Sequence, residues 1–143
     1  MLSRAATLSF ARAPRKFVPG PPRHLNEARL NTVDRKICSL VWDGRNQIAL
    51  TLQDRASSLT FPMSLRRDAG KFLACVSDGG MVSLKTSSDS PMELLVGSDK
   101  GALYFSLKGD DSTITTGLAP NEASIANTLI RFAETSRLDR YMR

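Results

Sequence analysis

Apolar and polar residues alternate along several short stretches of this chain, a pattern typical of β-strands that bury one face. These stretches are the predicted strands, at 36–42, 47–53, 58–63, 81–86, 91–97, 102–108 and 112–118. Apolar residues recur at helical spacing over about 65–78 and again over about 121–136. Because each predicted helix follows a set of strands, the sequence predicts an α+β fold with antiparallel sheets, each packed by a helix.

The two sets of elements come in the same order, which indicates an internal duplication. Their apolar positions superpose in the pairs Val41/Val96, Leu50/Phe105, Leu52/Leu107 and Met63/Leu118. The second set opens with one strand more than the first, because residues 26–31, at the corresponding place, make a poor strand. We therefore predict two ββββα repeats, about 30–79 and 80–136, with the first copy eroded at its start.

Turn residues and helix caps fit this division. Asp43-Gly44 and Asp99-Lys100-Gly101 separate predicted strands in the way that hairpin turns require. Ser64 and Asn121 are predicted N-caps of the two helices. The sequence places Trp42 in the core or at an interface. The helical residues predicted to pack on the sheets are Phe72, Leu73, Val76, Ile125, Leu129 and Phe132.

The N-terminal segment differs from the rest of the chain. Residues 1–26 contain five Lys or Arg, interleaved with Ser, Thr and apolar residues, and the first acidic residue is Glu27. A basic, amphipathic segment without acids is typical of a mitochondrial transit peptide, which a membrane potential draws into the organelle. We predict a transit peptide over 1–17, a Pro-rich flexible linker over 18–29, a folded domain over 30–143 and a location in the mitochondrial matrix. The alternative for the segment is an ordinary basic tail.

This segment also accounts for the basic character of the chain. The whole sequence carries a formal net charge of +6, of which residues 1–26 supply five units. The folded domain is therefore nearly neutral, and its charge alone does not predict nucleic-acid binding.

Residues with catalytic or metal-binding chemistry are few. Cys38 and Cys75 each lie in an apolar run, which predicts buried free thiols, and the single histidine, His24, lies in the linker. The sequence contains no nucleotide-binding glycine motif and no nucleophile motif. It also has no apolar stretch of the ~20 residues that a transmembrane helix needs. We predict no enzymatic activity and no cofactor or metal.

One segment carries a family resemblance. Residues 58–64 (SLTFPMS), running into 65–73 (LRRDAGKFL), resemble the last strand and helix of a PUR repeat. Residues 113–120 (TITTGLAP), running into 121–133, look like the same unit or its Whirly-type relative. Both families share a ββββα duplication, bind single-stranded DNA or RNA, and occur in organelles. The resemblance, over about 30–136, implies a single-stranded nucleic-acid-binding protein that works as a dimer.

Strand alternation predicts which side chains such a sheet would offer to a ligand. An aromatic ring can stack on a base, hydroxyl and amide groups can donate hydrogen bonds, and basic groups can pair with phosphates. The outward-facing or turn residues with these groups form the candidate nucleic-acid site, Arg45, Thr51, Gln53, Arg55, Lys85, Tyr104, Ser106 and Lys108.

Two functions from different classes follow. The first is a mitochondrial single-stranded RNA- or DNA-binding protein in an organellar ribonucleoprotein, engaged in RNA processing or in the mitoribosome. The alternative is a non-catalytic structural subunit of a respiratory or ATP-synthase complex, with protein contacts only. The corresponding partners are single-stranded RNA or DNA, with a homodimer or a larger mitochondrial assembly. Basic residues clustered on the open sheet face favour the first function, and scattered basic residues favour the second.

Overall fold

The structure is a computed structural model that describes residues 26–87, 89 and 91–141. The predicted transit peptide and most of the predicted linker lie outside the described residues. The strands of the first half are β1 (Glu27–Asn31), β2 (Ile37–Trp42), β3 (Gln47–Gln53) and β4 (Ser58–Ser64). Those of the second half are β5 (Gly80–Lys85), β6 (Glu93–Asp99), β7 (Ala102–Lys108) and β8 (Thr113–Leu118). A π-helical turn (Leu65–Ala69) and α1 (Gly70–Asp78) follow β4, and α2 (Pro120–Tyr141) follows β8.

The strands form two antiparallel four-stranded sheets, sheet A in the order β1-β2-β3-β4 and sheet B in the order β5-β6-β7-β8. The predicted α+β class and the order of two ββββα units are confirmed. The prediction that the first copy lacks its opening strand is wrong, because β1 pairs with β2 from Glu27↔Val41 to Asn31↔Ile37. This strand is short and lies at the edge of its sheet, so it needs few apolar residues. Leu30 is its buried residue, with Ala28 half-buried beside the core.

Turn chemistry explains the pairing of neighbouring strands. Between β6 and β7 the two loop residues Lys100 and Gly101 have φ angles of 53° and 88°. Positive φ at both central residues matches the right-handed twist of the paired strands and makes a tight hairpin. In the β2–β3 turn the Asp43 carboxylate accepts hydrogen bonds from the backbone N–H groups of Arg45 and Gln47, at 2.7 and 3.2 Å.

Both sheets contribute to one core, and the first helix packs on the sheet of the other half of the chain. Although α1 follows sheet A, it packs on β5 and β6 of sheet B. There the Phe72 ring stacks on Phe105, with centroids 6.4 Å apart. Helix α2 contacts β1 and the π-helical turn as well as β7 and β8. The two halves of the chain therefore share a core that neither half would complete alone.

The buried face of α2 differs from the predicted one. Leu129 is buried as predicted, but Ile125 and Phe132 are 45% and 42% exposed. The other residues that α2 buries are mainly small, Ala123, Ala126, Ile130 and Ala133. Alanines at this spacing allow the helix to approach the sheets closely, which a prediction based on large apolar side chains does not anticipate. In α1, Phe72 is buried as predicted, and Leu73 and Val76 are half-buried against the core.

Two further local predictions fail and one succeeds. Ser64 caps its helix as predicted, since its hydroxyl accepts the Arg67 N–H at 3.2 Å. Asn121 does not cap α2, because the helix begins at Pro120, whose fixed φ suits the first helical position. The predicted superposition of Val41 on Val96 is also wrong. Val41 is 43% exposed on the outer side of its sheet, whereas Val96 is fully buried.

The two sheets are joined at two places. The β1–β2 turn lies along the edge strand β8, where the Val33 N–H donates to the Gly117 carbonyl at 2.9 Å. Strand β4 runs along the end of sheet B at which β7 finishes, because a Cβ added to Gly109 would lie 3.0 Å from Leu59 Cδ2. Leu59, which packs against the shared core, therefore brings β4 next to this end of sheet B.

Three findings concern the described residues alone. Within them, no helix has both the length and the apolar character needed to cross a membrane. Cys38 and Cys75 are buried and free, as predicted, and no described group of three His, Cys, Asp or Glu side chains could hold a metal ion.

Candidate nucleic-acid interface

An exposed apolar strip crosses the outer face of sheet B. The pairing of strands aligns Met81, Gly97, Tyr104 and Gly117 across the four strands. Met81 is 73% exposed and Tyr104 is 52% exposed. Val33, from the β1–β2 turn, extends this strip beyond β8 and is 67% exposed. Large apolar groups that stand in solvent in one row are unusual for a surface strand and mark a surface able to bind a ligand.

The glycines of this strip determine how the tyrosine ring lies. A Cβ added to Gly117 would be 3.2 Å from Tyr104 Cδ1 and 3.4 Å from Val33 Cγ2. The ring therefore leans over Gly117, next to Val33, and not straight out from the sheet. On its other side, a Cβ on Gly97 would meet Tyr104 Cβ at 3.8 Å and Met81 Cγ at 3.7 Å. The result is a low, flat surface with an aromatic ring at its centre.

Two further rows of side chains follow toward β4. The middle row holds Ser83, Leu95, Ser106 and Thr115, and the last row holds Lys85, Glu93, Lys108 and Thr113. Successive rows are about 7 Å apart, since each step covers two residues of a strand. Glu93 stands between the two lysines and accepts a hydrogen bond from the Ser83 hydroxyl at 2.6 Å. The lysines outnumber the acid in this row, so the row is cationic.

This order of rows suits a nucleotide. A ring able to stack lies on one side, hydroxyl groups lie in the middle, and ammonium groups lie about 14 Å from the ring, two rows away. An exposed ring accepts any base face, and lysines bind phosphates without sequence preference. Of the predicted residues, Lys85, Tyr104, Ser106 and Lys108 are brought together here.

The predicted residues of sheet A lie on the neighbouring surface. Thr51 faces outward, but its hydroxyl is hydrogen-bonded to that of Thr60 at 2.9 Å. Gln53 is exposed at the end of β3, and Arg55 is exposed in the β3–β4 turn. That turn is held by Asp54, whose carboxylate accepts the N–H groups of Ser57 and Ala56; these hydrogen bonds lower the pKa of Asp54.

A groove of about 620 Å³ brings Gln53 and Arg55 next to Arg35 and Lys36 of the β1–β2 turn. Lys36 Nζ in turn donates to the carbonyl oxygen of Thr115 on sheet B at 2.6 Å. Lys36 therefore links this basic end of sheet A to the edge strand β8 of sheet B.

Arg45 is the predicted residue that the structure separates from the others. It lies in the β2–β3 turn, at the end of sheet A opposite the Gln53 end. Six-residue strands separate these two ends by roughly 17–20 Å. Its backbone carbonyl oxygen accepts a hydrogen bond from Arg140 Nη2 at 2.8 Å, so Arg45 belongs to the surroundings of the α2 C-terminus.

Sequence reasoning missed several residues of this surface. Met81 and Val33 are exposed apolar residues, and apolar residues are ordinarily assigned to a core. Met81 does occupy an outward position in β5, and this alternation was the available signal. Val33 lies in a turn of the other sheet, and no local pattern predicts its position beside Tyr104.

The chain matches no protein-family model, no curated protein and no solved structure. The resemblance to PUR and Whirly proteins stays a prediction.

Proposed function

We propose that this protein binds single-stranded RNA or DNA through the outer face of sheet B, as part of a mitochondrial ribonucleoprotein engaged in RNA processing or in the mitoribosome. The observation that carries the proposal is the exposed Tyr104 ring, which lies over Gly117 two rows from Lys85 and Lys108. A buried tyrosine would have served the core alone, and an isolated exposed one would lack the phosphate partners.

Physical chemistry supports this assignment of roles. Stacking of a base on an aromatic ring contributes about 1–3 kcal/mol, and it tolerates any base. Lys85 and Lys108 then contact phosphates on the side of the face next to β4. The acid-free, arginine-bearing composition of residues 1–26 supports a mitochondrial location.

A salt titration of the full-length protein with a fluorescently labelled oligouridine tests the proposal. We expect the logarithm of the binding constant to fall linearly with the logarithm of the salt concentration, because bound phosphates release counterions. The Tyr104→Ala/Lys108→Ala variant should bind about ten-fold more weakly, since about 1–2 kcal/mol of stacking and phosphate contact is lost.

Two control variants show whether the loss of binding comes from the aromatic ring and from a charge on this face. Tyr104→Phe keeps the ring and should bind like the natural protein. Lys71→Ala removes an exposed charge from α1, away from the face, and should also bind normally. Absence of binding at low salt overturns the proposed function, whereas normal binding by the double variant overturns the placement of the binding site on sheet B.

A second function is favoured by a different surface. Ile125 and Phe132 of α2 are exposed and, with Ala28 and Leu129, line an apolar groove of about 310 Å³ beside β1. Such a groove suits a protein neighbour, as in a structural subunit of a respiratory or ATP-synthase complex. The test is whether the protein migrates with one of these complexes. Migration that is lost in Ile125→Glu, together with no binding of oligouridine, would establish this function and exclude the first.

A further inference from the structure

A groove lined by arginines lies between the C-terminal part of α2, the β2–β3 turn and the start of the π-helical turn. Its volume is about 700 Å³, and it is lined by Asn46, Ser64, Arg66, Arg137, Leu138 and Arg140. None of these residues is acidic. The groove therefore combines guanidinium groups from two elements that lie far apart in the sequence.

Backbone contacts hold the walls of the groove in place. The Leu65 N–H donates to the Asn46 carbonyl at 2.8 Å, which fixes the β2–β3 turn against the end of β4. Arg140 Nη2 donates to the Arg45 carbonyl at 2.8 Å, which fixes the end of α2 against the same turn. The Arg137 guanidinium is oriented by Glu134, at 2.6 Å. The groove is thus formed before any ligand enters.

The nearest buried acid does not neutralise the groove. Asp68 is 1% exposed, and its carboxylate is bound by Arg67 through two hydrogen bonds of 2.9 and 2.8 Å. The Ser64 N–H donates to the same carboxylate at 2.9 Å. Because Arg67 satisfies Asp68, the charge of the exposed neighbour Arg66 is left to the groove.

The groove continues toward the proposed nucleic-acid face. A second groove, of about 370 Å³, shares Asn46 and Ser64 with the first and is lined also by Thr86 and Ser87. These two residues directly follow Lys85, the outermost lysine of the cationic row of sheet B. A polar path thus runs from Arg140 along the shared residues to Lys85.

We infer that this arginine groove binds the sugar–phosphate backbone of the single strand whose bases contact sheet B, an inference that rests on the proposed function. Arginine binds phosphate through paired N–H groups, and two grooves that share lining residues can hold successive phosphates of a linear polyanion. An anionic lipid surface fits less well. A bilayer is flat, whereas the site is concave, and Leu138 is the one apolar residue among the described residues that line it.

The test compares two full-length double variants of equal charge. Arg66→Gln/Arg140→Gln removes groove charges, and Arg29→Gln/Arg131→Gln removes two exposed arginines that do not line the groove. The probe is a labelled oligouridine of about 20 nucleotides, which is long enough to extend past the ~4–16 nucleotides of a typical single-strand site. The groove variant loses two phosphate contacts, so the slope of log binding constant against log salt concentration should fall by about 1.4. The control variant should keep the slope.

A charge-retaining variant guards against a folding defect. Arg66→Lys/Arg140→Lys should keep most of the slope, and all three variants should unfold cooperatively, which shows that they remain folded in the binding assay. If the groove variant behaves like the control, the groove inference is overturned while binding through Tyr104 stands. If the groove variant lowers the salt slope while Tyr104→Ala/Lys108→Ala binds normally, the site on sheet B is overturned instead. Binding to phosphatidylglycerol vesicles that only the groove variant loses, with oligouridine binding unchanged, would make the groove a lipid site.

Discussion

The Thr116 hydroxyl donates a hydrogen bond to the Asp34 carboxylate at 2.6 Å and thereby ties the β1–β2 turn of sheet A to the edge strand of sheet B. Lys36 adds an ion pair to the same carboxylate at 3.0 Å. The hydrogen bond from Thr116 is the main reason that the pKa of Asp34 lies below its usual value of 3.8. The turn covers part of an edge that would otherwise be open to pairing with another chain.

This contact predicts a pH-dependent contribution to stability. Thr116→Val should lower the free energy of unfolding by about 1 kcal/mol at pH 7, less than for a fully buried charged partner, because Asp34 is partly exposed. Since the folded-state pKa of Asp34 is lowered, the stabilisation is present above pH 3.8 and is lost as the pH falls through the folded-state value. Urea unfolding at several pH values measures it. Thr113→Val, exposed on the same strand, is the control. A Thr116→Val effect that persists below the folded-state pKa would contradict the assignment.

Two isoleucines of α2 give a direct test of the helix orientation. Ile130 is fully buried and Ile125 is 45% exposed. Ile130→Ala should cost about 2–5 kcal/mol, because it leaves a cavity, whereas Ile125→Ala should cost under about 1 kcal/mol. Chemical denaturation of both variants decides the point. The reverse order of effects would mean that α2 is rotated about its axis.

Phe132 should contribute moderately to stability, although the sequence predicts it in the core. Its ring meets Trp42 edge-on, with centroids 5.8 Å apart and planes at 89°. Phe132→Ala should cost about 1–2 kcal/mol, from the ring pair and the buried half of the side chain.

Trp42 is the single tryptophan of the chain, so its fluorescence reports this contact directly. The emission should change in Phe132→Ala and stay unchanged in Phe132→Leu, because the Leu side chain still excludes water from the indole. A native emission spectrum identical in Phe132→Ala would show that the two rings do not meet.

The thiols should be unreactive in the folded protein. Burial raises the pKa of Cys38 to about 12 and also raises that of Cys75. Since the thiolate is the reactive form, a thiol reagent at pH 8 should label neither cysteine before unfolding. Fast labelling of Cys38 under native conditions would indicate that β2 opens locally. Cys38→Ser should leave Cys75 equally slow, which separates the two sites.

Local pattern determined most of the secondary structure. The strands from β2 to β8 lie within one to two residues of the predicted ranges, because each alternates over enough residues to specify which face is buried. Outward-facing Tyr104, Ser106 and Lys108 follow from the same alternation. The turn at Lys100-Gly101 and the cap at Ser64 depend on neighbouring residues alone. The edge strand β1 was missed because few of its residues are buried.

Tertiary structure decided what depends on residues far apart in the chain. Packing between the two halves places α1 on sheet B and Val33 beside Tyr104. The same packing turns the alanines of α2, and not Phe132, toward the core. The arginine groove likewise joins Arg66 to Arg140, which no periodic pattern relates. Side-chain alternation determines the face of a strand locally, whereas the partner of that face is chosen by the volume and contacts of the whole core. The sequence alone therefore predicted the outward direction of Lys85, Tyr104, Ser106 and Lys108. Only the folded chain added Val33 to their surface, separated Arg45 from it and placed Arg45 beside the groove.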